Sequence, residues 1–413
     1  PYLVYYDTGL EGEIVNSQTT DLSGFLFRTS TAWTALHQDI RTLSEFGTNP
    51  ASAVDANGDL HVVYSHKTIQ KLYYSTEDSS KPDGWSGDEL GTANLTTSPS
   101  LWFEGSDMHI VTRDSTLNRI QHIVKTSSGF QTSTVVDSGL AVGREAVSTQ
   151  LWNGASMLAT TVNNSGTFEL QVLNLNAGSF ETLVNFTDGG SKISMCSTPD
   201  GDLIVASIDS NHFFRVHERN NSSMQWRNVT QSEIGLGHLT QLSGTPALSC
   251  TSHGDSLYLA VRGLDHPLYE RQSLLDGGNH SWTYSVDNQM NNLIASDNGS
   301  WDLVSTDSGL VLFTSTPTTE TLRVNIMNPV NDTLSSTNDV IGWSSHEMKN
   351  VYTNENFSSL VDSNGTMILS FFDTLDEDVD MLRLYPDSDR DMIFDSLDAL
   401  PHTGDQWMDA DLD

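Results

Sequence analysis

A glycine turn that recurs about every fifty residues constrains this chain more than any other feature. The turn glycines are Gly58, Gly105, Gly154, Gly201, Gly254, Gly309 and Gly365, at steps of 47, 49, 47, 53, 55 and 56 residues. The stretch 53–64, Ala-Val-Asp-Ala-Asn-Gly-Asp-Leu-His-Val-Val-Tyr, shows the grammar: a short apolar strand, the turn, and a second apolar strand. Second strands follow the glycines at 60–64, 108–111, 203–206, 257–261, 310–313 and 367–372. A third strand comes next, at 71–75, 119–123, 168–172, 267–271 and 321–325. A fourth opens on an aromatic residue: Trp33, Trp85, Phe130, Phe180, Trp226 or Trp282. Short alternating β-rich runs between Gly, Asn, Asp and Ser turns are antiparallel strands. No amphipathic helix stands out.

Four strands per repeat of 40–55 residues is the arithmetic of a β-propeller blade, so the fold class is all-β. The aromatic at the head of each outer strand is expected to pack between neighbouring blades. Residues 1–28 read as an incomplete opening repeat, with 2–6 as its second strand and 24–28 as its third. The last repeat has three strands and lacks the fourth. Eight third-strand signatures favour eight blades. Seven blades result if the terminal strands pair to close the ring.

The series at 55–86, Asp-x-x-Gly-x-Leu-His-Val-x-Tyr, then Leu-Tyr-Tyr-Ser, then Gly-Trp-Ser, resembles the repeats of sialidase-like, bacterial-neuraminidase-repeat propellers. The resemblance spans residues 1–386. A strict Ser-x-Asp-x-Gly-x-x-Trp box is not met. The nearest stretch is Ser-Thr-Pro-Asp-Gly-Asp-Leu at 197–203.

Charge narrows the function classes. The chain has 413 residues, with 19 Lys and Arg against 54 Asp and Glu, a net −35. A nucleic-acid binder needs a cationic face, as does a protein that docks on anionic lipid. Hydrophobic residues make up 37% of the chain, enough for a packed core, so the acidity does not mark disorder. No run approaches the ~20 apolar residues of a membrane span. A start at Pro1, without Met or an apolar leader, predicts that any signal peptide has been removed. Eleven Asn-x-Ser/Thr sequons are present: Asn94, Asn163, Asn185, Asn220, Asn221, Asn228, Asn279, Asn298, Asn331, Asn356 and Asn364. Chance gives roughly six for this composition, so the excess favours a glycosylated, secreted or cell-surface protein.

Composition changes after Pro386. In residues 387–398 carboxylates stand at loop positions 1, 3, 5, 9 and 12: Asp387, Asp389, Asp391, Asp395 and Asp398. Ile393 at position 7 would offer its backbone carbonyl. This is the oxygen-ligand spacing of a Ca²⁺ loop. Asp409, Asp411 and Asp413 begin a second loop. The segment 387–413 resembles a thrombospondin type 3 repeat. The resemblance implies structural calcium and an extracellular setting. Met392 departs from it, at the position where the turn usually takes Gly.

Residues just after each second strand share one face of such a disc: Asp7, His66, Arg113, Asn163, Asp209, Arg262 and Asp373. Arg144, before an inner strand, faces the same side. Arg113, Arg144 and Arg262 form a candidate carboxylate clamp, as the sialidase resemblance implies. The Phe/Tyr-Arg-Ile-Pro motif of those enzymes is absent. Cys196 and Cys250 each lie seven residues before a second-strand leucine, so both fall on inner strands of adjacent blades. An inter-blade disulfide and a pair of small buried thiols both suit that placement.

The sequence therefore points to a non-catalytic extracellular propeller used for binding, adhesion or surface and filament assembly. Its expected partner is a protein or glycan at the cell surface, or further copies of itself, since incomplete terminal repeats leave strand edges to pair. The alternative is a sialidase-like or other glycan-processing enzyme.

Overall fold

The computed structural model describes strands within residues 13–39 and most of residues 47–386; residues 1–12, 387–413 and several loops, including 137–147, 273–280, 285–298 and 328–342, lie outside the described residues. The described chain is all-β, in seven antiparallel sheets. Blade 1 comprises Gly47–Val54, Leu60–His66, Lys71–Glu77 and Trp85–Thr92, from the inner strand outward. Blade 2 comprises Ser100–Glu104, Asp107–Asp114, Arg119–Thr126 and Gly129–Val136. Blade 3 comprises Ser148–Trp152, Ala155–Asn164, Thr167–Asn174 and Ser179–Phe186. Blade 4 comprises Lys192–Ser197, Leu203–Ile208, Phe213–Arg219 and Trp226–Asn228. Blade 5 comprises Ala247–His253, Ser256–Arg262, Leu268–Gln272 and Ser281–Tyr284. Blade 6 comprises Trp301–Thr306, Gly309–Thr316, Thr321–Met327 and Trp343–Tyr352.

Blade 7 takes Ser358–Val361, Met367–Asp373 and Asp378–Pro386 from the end of the described chain, and its fourth strand, Trp33–Asp39, from the beginning. Trp33 pairs with Pro386 and Asp39 with Asp380, a seven-residue antiparallel ladder. The inner strands contact one another in succession, and blade 7 meets blade 1, so the ring closes within one chain.

There are therefore seven blades and not the favoured eight. Ser23–Arg28 is a strand, as expected, but it builds no blade of its own. It pairs with Trp33–Asp39 and, with Glu13–Val15, extends the last sheet to six strands. The reason is pairing. Trp33–Asp39 takes the open edge of Asp378–Pro386, the outer position that the last repeat lacks, and Ser23–Arg28 pairs on its other side. The same pairing removes the edge argument for self-assembly, because the two incomplete repeats complete each other. Residues 2–6 lie outside the described residues.

The inner hairpins form because Asp and Gly sit at fixed positions. In the first, Asp55 Oδ1 accepts from the backbone N–H of Asn57 (2.8 Å) and of Asp59 (3.0 Å). Gly58 closes that turn at φ +90°, a conformation that L side chains rarely adopt. Asp362 repeats the device for Asn364 and Thr366, and Thr198 substitutes its hydroxyl for it.

The core is divided into seven apolar layers, one at each seam between neighbouring blades. The second strands of blades 4, 5 and 6 are buried along their whole length, so both faces of those sheets are covered. Trp85, Phe130, Trp226 and Trp282 pack at these seams, as the sequence predicts for outer-strand aromatics. Phe180 does not; it is exposed, and Leu183 and Val184 of the same strand join the layer instead.

Candidate functional site

The described structure has a concave site on the face formed by the inner hairpins of three consecutive blades. A cavity of about 480 Å³ lies there, lined by His253 and Gly254 of blade 5, Ser305 and Thr306 of blade 6, and Val361, Asp362, Ser363 and Gly365 of blade 7. Each set stands at the end of an inner strand or in the turn that follows it. The repeat grammar thus delivers three hairpin tips to one place.

The groups are held firmly. His253 Nδ1 lies 2.9 Å from Ser305 Oγ, which ties blade 5 to blade 6 at the rim. Thr306 donates from its hydroxyl to the carbonyl of Gly309. Asp362 Oδ1 caps its own turn, accepting at 2.8 Å from Asn364 N and at 2.9 Å from Thr366 N.

Deeper along the inner strand of blade 6, Asp302 braces the axis. Its Oδ1 accepts from Ser249 Oγ of blade 5, and its Oδ2 accepts from the backbone N–H and the hydroxyl of Ser359 in blade 7. Burial pushes the Asp302 carboxyl above its ordinary range, against the lowering effect of these hydrogen bonds. Asp302 is thus a strut beneath the mouth that links three blades.

The face chosen from the sequence carries a different set of contacts. Arg113 and Arg262 end second strands of blades 2 and 5, three blades apart in the ring. Arg262 is buried, with its guanidinium 5.9 Å from the centre of the Trp301 ring. Burial holds Arg113 below the usual arginine range. Arg144 lies outside the described residues. On the same face Asp209 caps its own turn through Asn211 and Phe213, and its Oδ2 meets Arg215 Nη1 at 2.8 Å. His66 accepts from the backbone N–H of Ile69. These side chains hold their loops.

The structure joins Cys196 to Cys250 as a disulfide between the inner strands of blades 4 and 5, with Cα atoms 6.2 Å apart. Of the sequons, Asn185, Asn221, Asn228 and Asn364 are exposed, and Asn163 and Asn220 are half-buried. Asn94, Asn279, Asn298, Asn331 and Asn356 lie outside the described residues. So do the calcium-loop residues Asp387, Asp389, Asp391, Ile393, Asp395, Asp398, Asp409, Asp411 and Asp413. Among the described residues no group of three or more His, Cys, Asp and Glu side chains could hold a metal, and no helix is long and apolar enough to cross a membrane.

No protein family and no curated protein sequence matches the chain. Solved structures are similar to it in fold. A virginiamycin B lyase from Staphylococcus aureus in complex with quinupristin aligns at TM-score 0.49 and 12% identity, over 85% of this chain and 99% of that one. The polysaccharide lyase Uly1 aligns at TM-score 0.49 and 8% identity, over 82% and 89%. The Aleuria aurantia lectin in complex with Fucα1-6GlcNAc aligns at TM-score 0.42 and 16% identity, over 73% and 94%. The likeness reaches the propeller fold and nothing finer.

Sequence reasoning missed His253, Ser305 and Asp362. The available signal was position. Each stands within a few residues of a turn glycine, at Gly254, Gly309 and Gly365, but so do equivalent residues in every other repeat. Only the ring shows which tips share a cavity.

Proposed function

We propose that this chain is a non-catalytic, extracellular seven-bladed propeller that binds a glycan or protein partner at the cell surface. The observation that supports this most is the cavity at the inner hairpins of blades 5, 6 and 7, whose lining combines hydroxyls, an imidazole and a carboxylate on hydrogen-bonded supports. Such a lining suits recognition by hydrogen bonds, with donors and acceptors of both kinds in a small volume. Two further features of this reading rest on sequence. The spacing of Asp387, Asp389, Asp391, Asp395 and Asp398, with the carbonyl of Ile393, supports structural calcium in the C-terminal segment. The sequon excess supports a glycosylated surface protein.

The test is binding to an array of immobilised glycans and surface proteins, repeated with Ser305→Ala and His253→Ala. Retained ligands that both substitutions weaken by about tenfold or more support the reading, since each removes one hydrogen-bonding group. Binding that ignores both substitutions sinks this cavity as the site.

A second reading is a glycan-processing enzyme. Its support is the contact of Ser305 Oγ with an imidazole inside a cavity that also holds a carboxylate. Turnover of an oligosaccharide that stops in Ser305→Ala would establish it in place of the first.

A further inference from the structure

The inference rests on the reading of this cavity as a ligand site. We infer that the cavity selects an uncharged sugar, bound through its hydroxyls, over acidic sugars.

The inference starts from the charges. The eight described residues that line the cavity include one carboxylate, Asp362, and no lysine or arginine. The chain around them carries a net −35. A uronate or sialate carboxylate entering this volume would meet a like charge with no guanidinium or ammonium among the lining groups to offset it. Arg262, which could have served such a ligand, stands at the other end of its strand and is buried against Trp301.

The hydrogen-bonding capacity supports recognition through sugar hydroxyls. Both backbone donors to Asp362 fall on Oδ1, at 2.8 and 2.9 Å. That leaves Oδ2 as the carboxylate atom to accept from a ligand hydroxyl. His253 uses Nδ1 on Ser305, which leaves Nε2 as its second hydrogen-bonding atom. A carboxylate and an imidazole in the lining of one cavity suit sugar hydroxyls, one donating to the carboxylate and one bonded to the ring nitrogen. The turn that carries Asp362 is fixed by Gly365 at φ +79°, so the acceptor is preorganised.

The experiment compares the full chain's affinity for methyl hexopyranosides and for the corresponding methyl hexuronosides, by calorimetry or saturation-transfer NMR. The neutral sugar is expected to bind about tenfold or more tightly than its uronate. Asp362→Asn keeps an oxygen to cap the turn and removes the charge, so it should shrink that preference to within about threefold. His253→Gln gives an independent variant that retains a hydrogen-bonding group. A uronate that binds as well as its neutral parent, through contacts that Ser305→Ala weakens, overturns the selectivity and leaves the ligand site standing. Sugar binding that is indifferent to Ser305→Ala, His253→Gln and Asp362→Asn overturns the site, and the selectivity with it.

Discussion

Two seams of the ring are closed in opposite ways. Between blades 4 and 5 the chain uses specific cross-links. The disulfide Cys196–Cys250 joins the inner strands. Further out, the fully buried Arg271 of blade 5 reaches three carboxylates of blade 4. Its Nη2 lies 2.6 Å from Asp202, its Nη1 3.2 Å from Asp200 and its Nε 3.3 Å from Glu218. Glu218 also takes Arg227, at 2.5 Å. Blade 7, by contrast, is completed by the strand Trp33–Asp39, whose ladder brings together strands at opposite ends of the described chain. Its seam with blade 1 has an apolar layer and the Arg383–Glu77 pair at 2.7 Å.

The difference is one of sequence distance. Cross-linking residues 54 apart removes loop-closure entropy worth about 4 kcal/mol on the chain-entropy account. At blade 7 the ladder closes a loop of more than three hundred residues. The closure cost grows only with the logarithm of loop length, so a seven-residue ladder with a full apolar layer suffices. A disulfide and an ion-pair cluster reinforce the seam of blades 4 and 5; the seven-residue ladder of Trp33–Asp39 closes the ring.

Loss of the closing strand breaks this contrast most severely. Deleting residues 1–46 removes the fourth strand of blade 7 and leaves the edge of Asp378–Pro386 unpaired. We expect loss of a single cooperative transition, a melting midpoint more than about 10 °C lower, and association through the open edge, read by calorimetry and light scattering. A midpoint within about 3 °C of the intact chain would show that the ring does not need its closing strand.

Next comes Arg271→Met. It leaves Asp202 and Glu218 buried with their charges only partly offset by Arg227. The expected loss is about 3–5 kcal/mol in denaturant unfolding. A loss below about 1 kcal/mol would mean that the ion-pair cluster adds little beside the disulfide and the apolar layer.

The seam between blades 3 and 4 supplies the smallest test. Burial, helped by the neighbouring Arg215, pushes the His217 imidazole down to about 4. The unfolded chain binds that proton near the ordinary 6.5, before the native chain does. This contribution is therefore whole above pH 6.5 and is lost as pH falls towards 4, roughly 3 kcal/mol over the window. His217→Gln should flatten the stability profile between pH 6.5 and 4.5. An unchanged slope would assign that acid sensitivity to other groups.

Much of the fold was legible because it depends on local chemistry. Asp55 and Gly58 specify a turn wherever they occur, and alternation around the turn specifies two strands. Four strands per fifty residues then specify a blade. The adjacency of Cys196 and Cys250 was legible for the same reason, since residues at equal phase in successive repeats are neighbours on the axis. The blade count was not legible. The strand at 33–39 reads equally well as the end of an opening blade or as the missing end of the last one. Nothing local distinguishes the two.

The site shows the same division. Side-chain chemistry pointed to Arg113, Arg144 and Arg262, because guanidinium groups announce themselves in an acidic chain. His253, Ser305 and Asp362 are ordinary residues whose importance comes from convergence across 109 sequence positions. By itself the sequence determined the strands, the turns, the repeat and the charge, all of which follow from residues within about fifty positions of one another. The tertiary structure decided how many blades make the ring, which strand completes the last one, and which three hairpin tips share a cavity. Those outcomes depend on closing a circle, and closure is a property of the whole chain.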